Sequence, residues 1–192
     1  DNGGITAVGS NGELRGQKSY VYEGGVRVPT IMAWDGKIKA GSVVKEPLHI
    51  TDLYPTLLKL SGSKPQQNHP IDGKDAWATI SKGASSPHSF ILLDSTPFRG
   101  AIRMNDWKLV RNGEATAITT TSLGEETWEL FNLKDDPYEK QDVKDKFPST
   151  FLVLKEKLQA LSGQAVAPHL PANQLPADFK VPKIWGHPED TL

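Results

Sequence analysis

The stretch from residue 86 to residue 163 constrains the fold of this chain more than any other part of it. Three short apolar segments separated by turn residues predict strands: 89–95, 100–113 and 126–136. The adjacent residues Asn105 and Asp106 predict a tight hairpin turn inside the second of these segments. Strands joined by such short turns are antiparallel, so the pattern indicates a small antiparallel sheet.

Segment 148–163 predicts an amphipathic helix after the strands. Ser149 is the expected N-cap, Gly163 ends the helix, and four apolar residues share one face: Phe151, Leu154, Leu158 and Leu161. We therefore expect residues 86–163 to form a subdomain in which this helix covers one face of the sheet.

Residues 1–85 have a different character and predict the end of a larger α/β layer, so the expected fold class is α/β (α+β). Residues 1–25 are a glycine-rich loop, and residues 26–34 predict an apolar strand that contains Pro29. Two helices are predicted after it, at 51–61, capped by Thr51 or Asp52, and at 75–83. Beyond the subdomain, residues 164–192 form a proline-rich tail that predicts extended chain.

The composition of the chain bears on which kinds of molecule it could bind and on which cysteine chemistry it could use. The 22 Lys and Arg residues are scattered and the net charge is -1, which argues against a nucleic-acid partner. No apolar run approaches the roughly 20 residues of a membrane span, so no membrane partner is expected. The chain has 0 cysteines, which excludes disulfides, thiolate metal sites and a cysteine nucleophile within it. The apolar strand 26–34 predicts an exposed edge and self-association through it.

The glycine-rich opening carries the candidate chemistry. Asp1 and Asn2 place a carboxylate beside an amide oxygen, a pair that suits Ca²⁺ or Mg²⁺ rather than zinc, although Asp-Asn-Gly is also an ordinary turn. Lys18 lies among small residues and could reach an anionic group, or could be a solvated surface lysine. Glu23 and Arg27 could pair and fix the loop.

Several motifs, taken together and in order, resemble the central to C-terminal part of the type I sulfatases of the alkaline-phosphatase-like superfamily. They are D-N-G-G, L-R-G-x-K, E-G-G-V-R-V-P, H-I-T-D-L-Y-P-T-L-L, A-I-R-x-x-x-W-K-L and L-F-N-L-x-x-D-P-Y-E. The segments DGKDAWATISKGASSP and KIWG are most similar to arylsulfatase B-type enzymes, the N-acetylgalactosamine-4-sulfatase group.

The resemblance implies roles for three residues. Asp1 and Asn2 would complete a Ca²⁺ site, and Lys18 would bind the sulfate group of the substrate and act in catalysis. The substrate would be a sulfate ester, either an aryl sulfate or a sulfated sugar or glycan. The family's nucleophile, a formylglycine made in a C/S-x-P-S/A-R motif, lies upstream with the other metal ligands. We therefore expect the chain to need a missing N-terminal sulfatase region, to be inactive alone, and to bind Ca²⁺ weakly or not at all. An exported compartment, periplasmic, extracellular or lysosomal, is also implied.

One sequence imitates the nucleophile motif. Ser95, Thr96, Pro97, Phe98 and Arg99 match S-x-P-x-R, but Phe98 stands where Ser or Ala is needed and the position is downstream of Lys18. This stretch more simply ends a strand and begins a turn.

Other polar residues carry weaker predictions. His49 is expected to make a structural hydrogen bond, His69 and His88 are candidates for the substrate rim, and residues 136–139 predict a turn rather than a catalytic pair. Two alternative functions remain open: a phosphate or phosphonate ester hydrolase of the same superfamily, and a non-catalytic fragment that binds sulfated glycans.

Overall fold

A four-stranded antiparallel sheet is the centre of the computed structural model, which describes residues 2–64, 69–95, 99–113 and 126–164. The strands follow one another in the order of the sequence: β1 Ile91–Ser95, β2 Gly100–Met104, β3 Trp107–Asn112 and β4 Thr127–Asn132. The predicted strands are confirmed, and the middle segment is a β2–β3 hairpin in which Met104 pairs with Trp107. Asn105 takes a φ of 52°, a left-handed conformation that asparagine tolerates better than most residues.

Side chains along each strand point alternately to the two faces of the sheet, and both faces are apolar. Ile102, Leu109 and Leu130 point to one face, and their chain neighbours Ala101, Val110 and Phe131 point to the other. All six side chains are fully buried. A sheet that is buried on both faces needs a cover on each side.

The C-terminal helix covers the first face. Helix α4, Pro148–Ser162, packs Leu154 and Leu158 against the sheet, with Phe151 and Leu161 partly buried beside them. The predicted helix and its apolar stripe are thus confirmed, but the predicted N-cap is wrong. Phe147 occupies the N-cap position and Pro148 the first turn, where a residue without an N–H group costs no hydrogen bond.

The glycine-rich opening covers the second face, which the sequence did not indicate. Val21 and Tyr22 are buried against Ala101, Val110 and Phe131. The rings of Tyr22 and Phe131 meet edge to face, with 6.4 Å between their centroids. Helix α1, Glu23–Val26, follows directly, so the opening segment shares a core with the sheet.

Along the sequence, two helices follow the opening segment and precede the first strand of the sheet. A 3₁₀ turn, Ile50–Asp52, leads into helix α2, Leu53–Leu60, and helix α3 spans Trp77–Lys82. The helices are confirmed, and so is one of the two predicted caps of the first: Asp52 occupies the N-cap position of α2, although its side chain makes no hydrogen bond to that helix's first turn. His49 is the N-cap of the 3₁₀ turn, and its Nδ1 accepts a hydrogen bond from the Thr51 N–H group at 3.3 Å.

The predicted strand at 26–34 is wrong. Val26 ends helix α1, and residues 27–34 form neither helix nor strand. An isolated strand leaves its backbone donors and acceptors without partners, and Pro29 has no N–H group to offer one. Ile31 is 95% exposed, so this part of the described chain does present apolar surface. Self-association through that surface stays a prediction.

Two parts of the sequence analysis fall on residues that the structure does not describe. They are the tail 164–192, except for Gln164, and Thr96, Pro97 and Phe98 of the stretch that matches S-x-P-x-R.

Candidate functional site

Three glycines allow the opening segment to fold back on itself. The Gly3 N–H group donates to the Gly25 carbonyl at 2.9 Å, and the Gly24 N–H group donates to the Arg15 carbonyl at 2.7 Å. A Cβ atom on Gly3 would lie 1.8 Å from the Gly24 oxygen, and a Cβ on Gly25 would lie 2.0 Å from the Tyr20 oxygen. Any larger residue at these positions would force the backbones apart. The loop is therefore tightly interlocked, although its composition suggests flexibility.

Two amide side chains hold the same loop from outside. Asn11 accepts a hydrogen bond from the Gly4 N–H group at 2.9 Å and donates to the Gly16 carbonyl at 3.1 Å. Gln17 accepts from the Thr6 N–H group at 2.8 Å. These contacts replace the ladder hydrogen bonds that the segment lacks.

Lys18 and Asn2 lie on adjacent parts of this interlocked backbone. The Lys18 N–H group donates to the Gly4 carbonyl at 3.2 Å, two residues from Asn2. The Lys18 residue is partly buried, whereas Asn2 is exposed and has a φ of 46°. The structure thus brings two of the three predicted site residues into one region, and Asp1 lies outside the described residues.

Arg15 anchors the loop to the sheet. Its guanidinium donates to Glu129 Oε1 at 3.0 Å, to the Glu139 carbonyl at 3.1 Å and to the Tyr22 hydroxyl at 3.1 Å. The carbon at the centre of the guanidinium lies 3.8 Å from the Tyr22 ring centroid. Asn112 also donates to the Tyr22 hydroxyl, at 2.9 Å. Burial, together with the hydrogen bond that the hydroxyl donates to Glu129, raises the pKa of Tyr22 to about 12.

A buried ionic cluster makes the second anchor. Lys108 Nζ lies 2.8 Å from Glu23 Oε1 and 2.8 Å from Glu139 Oε1, and the side chains of both Lys108 and Glu139 are 0% exposed. The contact between Lys108 and Glu139 Oε1 is an ion pair. The Glu23 N–H group donates to the other oxygen of Glu139 at 2.6 Å. Burial raises the pKa of Glu139, and the nearby ammonium of Lys108 only partly opposes that rise.

Sequence reasoning missed this cluster. The predicted pair of Glu23 with Arg27 exists at 3.7 Å, but the main partner of Glu23 is Lys108. A signal was available, because Lys108 lies two residues before the core residue Val110, on the same face of a strand. A lysine at a core-facing position needs a buried acid. The sequence predicts a turn at 136–139 and does not indicate that the Glu139 side chain is that acid.

The histidines are structural where their contacts are described. His88 Nε2 lies 2.7 Å from Asp52 Oδ1, and the His49 N–H group donates to Asp52 Oδ2 at 2.8 Å. The Asp52 side chain also accepts a hydrogen bond from the Lys74 N–H group at 2.9 Å. The hydrogen bond predicted for His49 is confirmed. The role predicted for His88 at a substrate rim stays a prediction, and the structure shows that its ring is bound to this buried carboxylate.

The described residues supply little of a metal site. Among residues 2–64, 69–95, 99–113 and 126–164, no three acidic or histidine side chains converge as they would around a cation. Asn2 offers one amide oxygen, which is a suitable donor for Ca²⁺. Since Ca²⁺ takes about six to eight oxygens, Asn2 could contribute only one of several ligands.

Comparison with known proteins identifies the family. Residues 15–164, which include Lys18 and every anchor described above, match the family of the C-terminal domain of N-sulphoglucosamine sulphohydrolase. The chain belongs to the sulfatase family. A curated relative, arylsulfatase J of Mus musculus, is 32% identical over 97% of this sulfatase chain. The resemblance of the motifs to sulfatases is thereby confirmed.

Solved structures agree with this assignment. The crystal structure of Ps i-CgsB in complex with k-i-k-neocarrahexaose superposes with a TM-score of 0.68 and 30% identity, covering 84% of this chain and 34% of that one. PsFucS1 sulfatase from Pseudoalteromonas sp. gives a TM-score of 0.62 and 26% identity, covering 78% of this chain and 32% of that one. The expected α/β fold of a sulfatase C-terminal portion is confirmed.

The chain is shorter than these relatives. It spans 38% of the length of arylsulfatase J. Within the described ranges, no helix is long and apolar enough to cross a membrane.

Proposed function

We propose that this chain is the C-terminal portion of an enzyme that hydrolyses sulfate esters, and that Lys18 binds the sulfate group of the substrate. The observation that carries the proposal is the placement of Lys18. The family match over residues 15–164 includes this lysine, which lies on a loop fixed to the sheet by Arg15 and by a buried ionic cluster. A fixed loop is what a group that stabilises a transition state requires.

The proposed chemistry of Lys18 follows from its charge. A sulfate ester carries one negative charge, and further charge develops on the bridging oxygen as the S–O bond breaks. An ammonium group held beside that oxygen stabilises the transition state more than the ground state, which raises kcat. The tight packing of Gly3 against Gly24 would hold the backbone that carries Lys18 in place as this charge develops.

The proposed substrate is a sulfated sugar or an aryl sulfate. Ps i-CgsB, which is similar over 84% of this chain, was crystallised with an oligosaccharide, and arylsulfatase J is named for aryl sulfates. We extend both substrate classes to this protein as a proposal.

Asp1 and Asn2 are the proposed contribution of this chain to a Ca²⁺ site. When bound, Ca²⁺ would offset negative charge on the sulfate group. The remaining ligands and the formylglycine nucleophile would come from an N-terminal sulfatase region outside these 192 residues. We accordingly propose that the 192-residue chain is inactive by itself and binds Ca²⁺ weakly. An exported location, as the family implies, is part of the same proposal.

The test is a comparison of two esters with the full-length protein that contains this chain. Turnover of an aryl sulfate and of the matching aryl phosphate is measured under the same conditions, with the 192-residue chain assayed beside it. The proposal predicts a higher kcat/KM for the sulfate and no turnover by the chain alone. Preference for the phosphate would favour a phosphate or phosphonate hydrolase instead. Tight binding of a sulfated glycan without turnover would favour the non-catalytic alternative.

A further inference from the structure

Glu139 holds the glycine-rich loop at two points. Its carbonyl accepts a hydrogen bond from the guanidinium of Arg15 at 3.1 Å. Its carboxylate accepts a hydrogen bond from the Glu23 N–H group at 2.6 Å. The residue has a φ of 56°, a left-handed conformation that few residues other than glycine adopt. In this conformation the carbonyl and the carboxylate of Glu139 both face the glycine-rich loop.

Glu139 and Glu23 share one cation, the ammonium group of Lys108, so the position of each carboxylate depends on the other. Lys108 lies 2.8 Å from a carboxylate oxygen of Glu139 and 2.8 Å from one of Glu23. All three side chains are buried, where an unpaired charge is expensive. Glu23 therefore stays in place only while Lys108 and Glu139 remain where they are.

A short series of backbone contacts connects Glu23 to Lys18. Glu23 begins helix α1, and Gly25 in that helix accepts a hydrogen bond from the Gly3 N–H group at 2.9 Å. The next residue, Gly4, accepts from the Lys18 N–H group at 3.2 Å. The backbones of Gly3 and helix α1 touch, since a Cβ on Gly3 would overlap the Gly24 oxygen. A shift of Glu23 is consequently passed to Gly3 and then to Lys18.

We propose that Glu139 is a positioning residue for Lys18, acting through Arg15, Glu23 and the backbone of Gly3 and Gly4. It does not touch the substrate. The inference rests on the proposed function, because it assumes that Lys18 contacts a reacting sulfate group. A misplacement of about 1 Å in such a contact costs on the order of a hundredfold in rate. The segment that follows β4 thereby has a role in the reaction beyond stability.

The test uses Glu139→Ala and Glu139→Gln in the full-length protein that contains this chain. The alanine variant removes both the charge and the acceptor for the Glu23 N–H group. The glutamine variant keeps the size and one oxygen acceptor but removes the charge. Glu156→Gln is the matched control, because Glu156 is exposed on helix α4, far along the chain from the loop. Two quantities are measured: kcat and KM for an aryl sulfate, and amide hydrogen exchange across the chain.

The inference predicts a loss that is concentrated in kcat and in the loop. Glu139→Ala should lower kcat about tenfold or more while KM changes less than about threefold. Exchange should rise in residues 2–25 while β2, β3 and helix α4 stay protected, because the strands remain hydrogen-bonded to their neighbours and packed on helix α4 through their other face. Glu139→Gln should recover part of both effects, and Glu156→Gln should match the unsubstituted protein.

Two results would overturn it. The first is a Glu139→Ala variant with normal kcat and normal exchange in residues 2–25. The second is exchange that rises equally in the loop and in the sheet, since that pattern indicates a purely structural role. If the alanine variant does not fold, Glu139→Gln decides the question by the same comparison with Glu156→Gln. If the unsubstituted protein does not turn over the aryl sulfate, the proposed function fails on its own, and exchange still decides whether Glu139 holds the loop that carries Lys18.

Discussion

Leu158→Ala tests whether helix α4 completes the core of the sheet. Leu158 is 0% exposed and packs with Ile102, Leu109 and Leu130 on the first face. Its truncation removes buried apolar atoms and leaves a cavity that the surrounding strands can fill only in part. Substitutions of this kind cost about 2–5 kcal/mol. In a protein of this size each kcal/mol lowers the Tm by about 2–4 °C, so the expected shift is about 4–20 °C.

The control lies on the same helix. Leu152 is 54% exposed, so Leu152→Ala makes the same chemical change without opening a cavity and should alter stability by about 0.5 kcal/mol or less. Both variants are followed by circular dichroism during thermal and urea unfolding. Equal Tm values for the two variants would refute the packing of helix α4 on the sheet.

Three further predictions concern the anchors and the metal. Lys108→Met should lower the free energy of unfolding by about 3–5 kcal/mol in urea titrations, because two buried carboxylates lose their cation; a change below about 1 kcal/mol would contradict the buried cluster. Burial raises the pKa of Glu139 above its usual 4.5, so its contribution to stability is full below about pH 4.5 and is lost as the pH rises through the raised value. Glu139→Gln should therefore gain stability relative to the unsubstituted protein as the pH rises from about 4.5 towards neutrality, and a variant that loses stability relative to the unsubstituted protein over that range in urea titrations would contradict the sign. Calorimetric titration of the 192-residue chain with Ca²⁺ should give weak binding or none, because Asp1 and Asn2 are only two ligand residues for an ion that takes about six to eight oxygens, and tight binding would contradict the proposed division of ligands.

Local patterns predicted the four strands and helix α4 well because each of these elements shows its own period in the sequence. The strands around Ile102, Leu109 and Leu130 alternate with a period of two, and the helix stripe at Leu154 and Leu158 has a helical period. Each pattern is complete within a few residues, and each element finds its partner nearby in the sequence. The turn at Asn105 was predictable for the same reason.

The errors arose where long-range contacts decide the structure. Residues 27–34 have the composition of a strand, but strand formation needs a neighbour, and no described strand pairs with them. The glycines of the opening segment suggested a flexible backbone. The structure instead brings the backbones of Gly3 and Gly24 so close together that Gly3 has no room for a side chain. Composition cannot distinguish a glycine that bends from a glycine that packs.

The family was predicted from the sequence, whereas the roles of Asn2 and Lys18 stay predictions. The motifs around Asn2 and Lys18 indicated the family and the two residues, and the structure places the backbones of both on one interlocked segment. The ionic cluster was not predicted, since Glu23, Lys108 and Glu139 are far apart in the sequence. A lysine on the core-facing side of a strand was the only local signal of it.

The rate of Lys18→Ala in the full-length protein tests the central claim most directly. Lys39→Ala is the control, because Lys39 is exposed and its substitution removes the same charge at a different place on the protein. With an aryl sulfate as substrate, the account predicts that Lys18→Ala lowers kcat about a hundredfold or more at an unchanged Tm, as expected when one transition-state contact is lost. Lys39→Ala should keep the normal rate. A Lys18→Ala variant with the same kcat and KM as the Lys39→Ala variant would remove Lys18 from the site and contradict the account.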